Sequence, residues 1–320
     1  MTTGGIHRLG TETRFPGRPS MTVVGCGGAG CNILARATER GWDLGHHVAV
    51  NTDAQHLLTT CADSKVLLGR RTTGGRGANN DIATGEAACR ESHGHLESVI
   101  AETDIVVILA GQGGGTGSGA APVLAELARR RGSMTISLST IPFSVEGTAR
   151  RDNAHVGMAN LAMASDVSMV LPNDHLLDAS PSLSLVDAFQ AADEALLEPV
   201  NLLMRMLTRD DMSRLRTALH GAGAAHLGRG ESSRKRGFER AIDDALANVY
   251  PPVEPHECGR GIVLFHVGTE GPQDEQLLEM VRTVHLSMEP RARTLWGVHR
   301  DDEMGDRLRA VVMVAPTPKR

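Results

Sequence analysis

Short apolar runs separated by stretches of helical spacing set the pattern of the first half of the chain. Residues 21–24 (MTVV) are apolar and break into Gly25-Cys26-Gly27-Gly28-Ala29-Gly30-Cys31-Asn32, after which Ile33, Leu34 and Ala37 recur at helical spacing. Val48-Ala49-Val50 predicts a second strand, ending in Asn51-Thr52-Asp53. Residues 104–110 (DIVVILA) predict a third, flush against Gly111-Gln112-Gly113-Gly114-Gly115-Thr116-Gly117-Ser118-Gly119. A helix over about 120–131 and a strand at 134–138 follow. Strands alternating with helices predict a parallel sheet with helices on both faces. Runs that are apolar throughout fit strands covered on both sides. Ligands of such sheets sit beyond the carboxyl ends of the strands, where both glycine loops fall.

The second half is patterned differently. A long helical repeat spans about 183–207, with Leu185, Phe189, Ala192, Leu196 and Val200 inward and a kink or boundary expected at Pro199. Residues 231–236 (ESSRKR) read as a solvated linker to a helix that ends near Val249. Residues 261–267 and 309–314 predict strands of a second, smaller sheet. The expected class is α/β, with residues 1–20 a flexible tail, 21–182 a ligand-binding domain, 183–207 a central helix and 208–320 a smaller α/β domain. The 320 residues exceed what one core usually spans.

Composition narrows the chemistry. Glycine is abundant at 36 and aromatics scarce at 2%, which directs attention to the glycine loops. A net charge of −5 without a clustered basic excess argues against a nucleic-acid partner. The 5 cysteines are odd in number and lack paired short spacings, which fits a reducing cytoplasm better than a disulfide framework or zinc ribbon. Residues 1–20 hold no apolar run of the signal-peptide kind, and no run reaches membrane-spanning length. His46-His47 and His93/His95 lack carboxylate or thiol partners at ligand spacing, so no metal site is expected from them.

The loop from Gly113 to Gly119 has a strand before it and a helix after it. Its glycines let backbone N–H groups turn toward an anion, and the helix N-terminus adds about half a positive charge. The Thr116 and Ser118 hydroxyls can donate to phosphate oxygens. No Walker-type lysine is present, so it is not a P-loop. The first loop is less specific. Gly25, Gly27 and Gly30 also satisfy the dinucleotide pattern, and Asp53 ends the next strand as a ribose-binding acid of an NAD dehydrogenase would. A classical NAD site has no use for the second glycine loop.

That second loop, GGGTGSG, resembles the signature of the tubulin/FtsZ family with one conservative serine. Asn51-Thr52-Asp53-Ala54-Gln55, Thr140-Ile141-Pro142-Phe143 with Glu146, Gly147 and Arg150, Pro172-Asn173-Asp174-His175-Leu176-Leu177, and Asp187-Ala188-Phe189 with Asp193 resemble further family motifs in order, over about 21–314. The prokaryotic FtsZ branch fits better than eukaryotic tubulin. The resemblance implies a Rossmann-like GTPase domain, a central helix and a second smaller α/β domain.

It also implies a GTP/GDP site with Mg²⁺ on the nucleotide. Gly27, Gly28, Gly113, Gly114, Gly115, Thr116 and Gly117 would cradle phosphates, with Ser118 and Gly119 closing the signature. Asn51 and Asp53 belong to a ribose/phosphate loop. Pro142, Glu146 and Arg150 would hold the ribose and nearby phosphate. Phe189 would lie against guanine, and Asn32, Asn173 and Asp193 would read its edge. Arg76 and Gly77 fall where the family senses the γ-phosphate, in a loop over 73–80 that reads one residue short.

Two departures stand out. The family inserts an Asn-x-Asp-x-x-Asp loop against the neighbouring subunit's γ-phosphate. Here the register puts Arg209 at the Asn, Asp211 at the first Asp and Arg214 at the second. Asp211 and Arg214 are therefore the candidate catalytic pair, acting on the neighbour's nucleotide, and slow hydrolysis is expected. The family's C-terminal linker and membrane-docking tail also have no counterpart in Pro316-Thr317-Pro318-Lys319-Arg320, which leaves the tether unknown. The implied function is head-to-tail assembly into filaments in the cytoplasm, at the division site or in cell-shape control. The alternative is a hydrolysis-poor paralogue that co-assembles with another FtsZ.

Overall fold

The computed structural model describes residues 5–10, 17–42, 44–174 and 185–317. The chain divides into two compact units, one of Ser20–Glu198 and one of Met1–Pro19 with Pro199–Arg320.

The opening segment is not wholly a tail. Its strand β1 (Ile6–Arg8) pairs in parallel with a strand near the C-terminus, Ile6 opposite Thr294 and Arg8 opposite Trp296. Leu9 is buried, and the Arg8 guanidinium lies 4.9 Å from the Trp296 ring centre. A strand of three residues with a single apolar side chain carries almost no periodic signal, so the sequence pattern missed it.

The larger unit follows the expected alternation. Strands β2 (Met21–Cys26), β3 (His46–Asn51), β4 (Ser64–Leu67), β5 (Ile105–Gly111), β6 (Met134–Ile141) and β7 (Val167–Pro172) pair in parallel in the order β4-β3-β2-β5-β6-β7. Helices α1 (Gly27–Glu39), α2 (Ala54–Thr59), α3 (Ile82–Glu91), α4 (His93–Val99), α5 (Gly115–Arg130) and α6 (Thr148–Ala164) belong to the same unit. Val106, Ile108 and Ala110 of β5 and Leu124, Leu127 and Ala128 of α5 join one buried cluster. Burial raises the thiol pKa values of Cys26, Cys31 and Cys89, the last two to about 12, so these thiols pack as apolar groups.

Helix α7 (Leu185–Met206) contains Pro199, and the division between the two units falls at Glu198/Pro199. The smaller unit holds helices α8 (Met212–Leu219), α9 (Arg240–Ala247) and α10 (Asp274–Ser287) and strands β8 (Gly223–Ser233), β9 (Cys258–Val267), β10 (Arg293–Arg300) and β11 (Arg307–Pro316). β1, β10 and β9 run parallel, and β11 is antiparallel to both β9 and β8. Glu231, expected in a solvated linker, lies in β8 opposite Arg309, whose guanidinium it accepts at 2.8 Å. Gly228 and Gly230 interrupt the apolar pattern of β8. A Cβ on Gly230 would stand 2.1 Å from the Ala241 carbonyl oxygen, so glycine lets α9 lie directly on the strand.

Candidate functional site

A cleft of about 390 Å³ opens at the carboxyl ends of the parallel strands in the larger unit. Each wall is a strand-to-helix turn. After β2 come Gly28 and Ala29, at the end of β3 Asn51 with Thr52 and Asp53 beyond it, and after β5 the loop that enters α5. Thr140 lies near the end of β6, Pro142, Glu146 and Arg150 follow it, and Asn173 follows β7.

The β5–α5 turn is built for close approach. Gly113 holds φ +99, a left-handed conformation, and a Cβ there would meet the Arg150 carbonyl oxygen at 2.9 Å. Gly114 caps α5 with extended backbone, and the N–H groups of Gly115, Thr116 and Gly117 have no acceptor within the helix. These donors and the helix dipole face the cleft, an arrangement suited to an anion. The glycines nevertheless differ in role. A Cβ on Gly114 or Gly28 would meet no atom within 4 Å, whereas one on Gly117 would lie 2.1 Å from the Gly111 carbonyl oxygen. Gly114 and Gly28 leave room for a ligand, and Gly117 leaves room for the protein's own backbone.

Among the described residues, the cleft is lined by the expected Gly28, Asn51, Asp53, Gly114, Gly115 and Thr116, and by Gly117, Pro142, Glu146, Arg150 and Asn173. Several of these are already held. Asp53 Oδ1 accepts from the N–H groups of Gln55 and His56 and caps α2. Glu146 accepts from the Phe143 N–H at 2.9 Å and pairs with Arg150. The Thr52 and Thr116 hydroxyls share a 2.6 Å hydrogen bond.

Other expected residues are not among those that line the cleft. Gly27 and Gly113 shape turns with positive φ. Ser118, a candidate phosphate donor, is fully buried and accepts from the Gly113 N–H at 2.8 Å, so it braces the loop. Gly119 faces α3, where a Cβ would meet the Ile82 carbonyl oxygen at 2.2 Å. Asn32 Oδ1 lies 3.1 Å from His56 Nε2, and His56 Nδ1 lies 3.2 Å from Asn51 Nδ2. Phe189 packs edge-on against Phe143 with ring centres 5.5 Å apart. Asp193, expected to read a base edge, is buried in an ion pair with Arg36. Burial nonetheless raises its carboxyl pKa above the ordinary value. His175, Leu176 and Leu177 lie outside the described residues.

Sequence reasoning missed part of the site. Gln112 lines the cleft with both its amide atoms buried and without a hydrogen-bond partner, and Asn173 Oδ1 is in the same state. The Gln112 amide faces α6, where a Cβ on Gly157 would stand 2.3 Å from its Oε1. Arg76, expected in the γ-phosphate-sensing loop, lines the cleft too, on a loop in which Asn79 and Asn80 adopt φ 47 and 59. Asn153 donates to the Asn80 carbonyl at 2.7 Å and the Gly113 carbonyl at 3.3 Å, tying the two loops together. A polar residue after a strand and an asparagine inside a helix give no signal of such long-range partners.

The expected catalytic pair lies in the smaller unit, where one member is bound up in hydrogen bonds of its own chain. The Asp211 side chain is fully buried. Its Oδ2 accepts from the N–H groups of Gly10 and Thr208, both at 3.0 Å, and from the Thr208 hydroxyl at 2.7 Å. A carboxylate so placed fastens the opening segment to the turn before α8. Arg214 is about a third exposed, with Nη1 3.9 Å from Asp211 Oδ1. Asp211→Ala should cost about 3 kcal/mol or more, since it strands buried donors. Urea denaturation monitored by circular dichroism measures this, and an unchanged midpoint would contradict the bracing role.

Residues 20–181 match the family model described as the Tubulin/FtsZ family, GTPase domain. The chain is 38% identical over 304 residues to Cell division protein FtsZ 1 of Pyrococcus furiosus, spanning 93% of this chain and 81% of that protein. It is 35% identical over 311 residues to Cell division protein FtsZ 1 of Methanocaldococcus jannaschii, spanning 95% and 84%. An empty FtsZ dimer structure from M. jannaschii superimposes with a TM-score of 0.85 at 34% identity, covering 93% of this chain and 88% of that one.

Proposed function

The chain belongs to the Tubulin/FtsZ family of GTPases, whose members typically polymerise, and from that premise we propose that its cleft binds GTP and GDP and that it assembles head to tail in cell division. The observation that carries the nucleotide reading is the cleft at the α5 N-terminus, with open space over Gly28 and Gly114. Phosphates fit the glycine turn, with Arg76 and Arg150 as cations beside it. The Asn173 side chain, among those lining the cleft, suits the polar edge of a base. Asp193 would complete the base end by exchanging Arg36 for the guanine N1–H and 2-amino donors, against the Phe189 ring.

Asp53, Thr52 and Thr116 offer oxygen donors along the same cleft, which fits Mg²⁺ held mainly through phosphate oxygens. When bound, the ion neutralises phosphate charge. Self-association is supported by the FtsZ dimer among the structural relatives. The cytoplasm and division site are proposed from the FtsZ relatives, which are cell division proteins by name.

Hydrolysis is proposed to be slow. Arg214 cannot serve as a base because a guanidinium stays protonated, and Asp211 is buried. The same pair favours a second reading, a hydrolysis-poor paralogue that co-assembles with another FtsZ. Pelleting with GTP, GDP and a slowly hydrolysed analogue, with and without a second FtsZ, separates the two.

The base reading has its own test. GTP and GDP are expected to bind at least about 100-fold more tightly than ATP, and Asp193→Ala should remove about tenfold of that preference, the size of one charge-assisted hydrogen bond. Competition binding measures both. Equal ATP and GTP affinity in the wild type would end the guanine reading.

A further inference from the structure

We infer that His266, His299 and Asp301 form a binding site for a divalent transition-metal ion on the smaller unit, separate from the nucleotide cleft. The topology assembles it. In the parallel pair β9–β10, His299 stands directly opposite His266, so both imidazoles project from the same face. Asp301 follows two residues after His299, on the same side of the sheet. Its backbone N–H donates to the Val267 carbonyl at 2.9 Å, which continues the pairing by one residue.

The side chains converge. His266 Nε2 is 3.0 Å from Asp301 Oδ2, and the two imidazole centres are 5.3 Å apart. One ligand atom from each residue lies within 4.8 Å of the other two. Ligands of a tetrahedral zinc ion, each about 2.1 Å from the metal, stand about 3.4 Å apart, so modest side-chain rotation completes the set. Asp301 is oriented for the task, because its Oδ1 accepts from the Glu303 N–H at 3.0 Å and leaves Oδ2 on His266. Two imidazoles and one carboxylate suit Zn²⁺, Ni²⁺ or Fe²⁺ over Mg²⁺ or Ca²⁺, with water filling the open position.

One cation already stands at the site. Arg205 Nη1 is 3.2 Å from His299 Nε2. A metal that used this nitrogen would displace the guanidinium. Arg205 is exposed and its Nε also donates to Asn201 Oδ1 at 3.4 Å, so its head can turn to solvent. Arg205 is therefore a competitor that sets how much metal is needed.

The test uses the full chain, stripped with a chelator and titrated with ZnCl₂ by calorimetry in Mg²⁺-containing buffer without nucleotide. One equivalent should bind in the wild type. His266→Ala and His299→Ala should each weaken it by at least about tenfold, and Arg205→Gln should strengthen it. Binding unchanged in both histidine variants would assign the zinc to other groups, such as His46 beside Asp63, and overturn the site. Absence of zinc binding would overturn it as well. Co²⁺ loading of the wild type reads the site without any variant. Visible absorption of a low-coordinate Co²⁺ is expected, and a spectrum of the fully hydrated ion alone would refute the assignment. None of these readouts depends on the nucleotide proposal.

Discussion

Gly114→Leu is expected to abolish guanine-nucleotide binding and leave the fold intact. Gly114 sits at the entry to α5 with φ −88, a conformation any residue adopts, and an added Cβ would meet no protein atom within 4 Å. The leucine side chain would fill the space over the α5 N-terminus. Loss of about three backbone–phosphate hydrogen bonds, each charge-assisted and worth about 1.5–3 kcal/mol, lowers affinity by at least about 10³-fold. Gly117 serves as the contrast. Its Cβ would stand 2.1 Å from the Gly111 carbonyl oxygen, so Gly117→Ala forces α5 away from β5 and lowers the melting temperature whether or not nucleotide is present. Fluorescent-nucleotide titration and thermal denaturation of both variants check the pair. A Gly114→Leu protein that binds GTP normally would remove the phosphates from this turn.

The contrast between these two glycines was hidden in the sequence. GGGTGSG announces an anion loop between strand and helix, and that much was legible because β5 is apolar throughout and Ala120, Leu124 and Leu127 continue the helix. Which glycine faces a ligand and which faces backbone depends on where α3, α5 and β6 meet, a long-range property. Ser118 shows the same limit. A hydroxyl in a phosphate-type loop reads as a donor, yet this one is buried and braces Gly113.

Strands were legible where apolar runs were long. β2, β3, β5, β6, β9 and β11 were expected, while β1, β4, β7, β8 and β10 were not. β1 is three residues long, and β8 carries Gly228 and Gly230, where α9 presses on the backbone. Asp211 marks the furthest reach of tertiary context. Its position in a family-like loop suggested chemistry, but its oxygen bonds to Gly10, 201 residues away in the chain. Arg36 and Asp193, 157 residues apart, repeat the lesson, since neither helix alone reveals the other's charge.

Arg214→Asp should raise GTP turnover by about 10²-fold or more, the size of contribution a positioned general base makes. The argument begins with what Arg214 can do as it stands. Its guanidinium is about a third exposed and 3.9 Å from a fully buried carboxylate, so part of its charge is available to a neighbouring molecule. Toward the phosphates of an adjoining subunit's nucleotide, a guanidinium forms paired hydrogen bonds and holds an interface closed, and it abstracts no proton from water. An aspartate in its place supplies an exposed carboxylate at the start of α8 and removes that clamp. Phosphate release should therefore rise and filament lifetime fall together. Arg214→Ala separates the two contributions, because it loses the clamp without gaining a base: filaments should shorten in lifetime while turnover changes little. Asp211 is expected to stay buried in both variants, so a denaturation midpoint near the wild type is the control for intact structure. Brisk wild-type hydrolysis that collapses in Arg214→Asp would reverse the conclusion and make Arg214 a stabiliser of transition-state charge, as arginine fingers are in other GTPases. If neither turnover nor lifetime moves in either variant, Arg214 does not face the nucleotide of a neighbour at all.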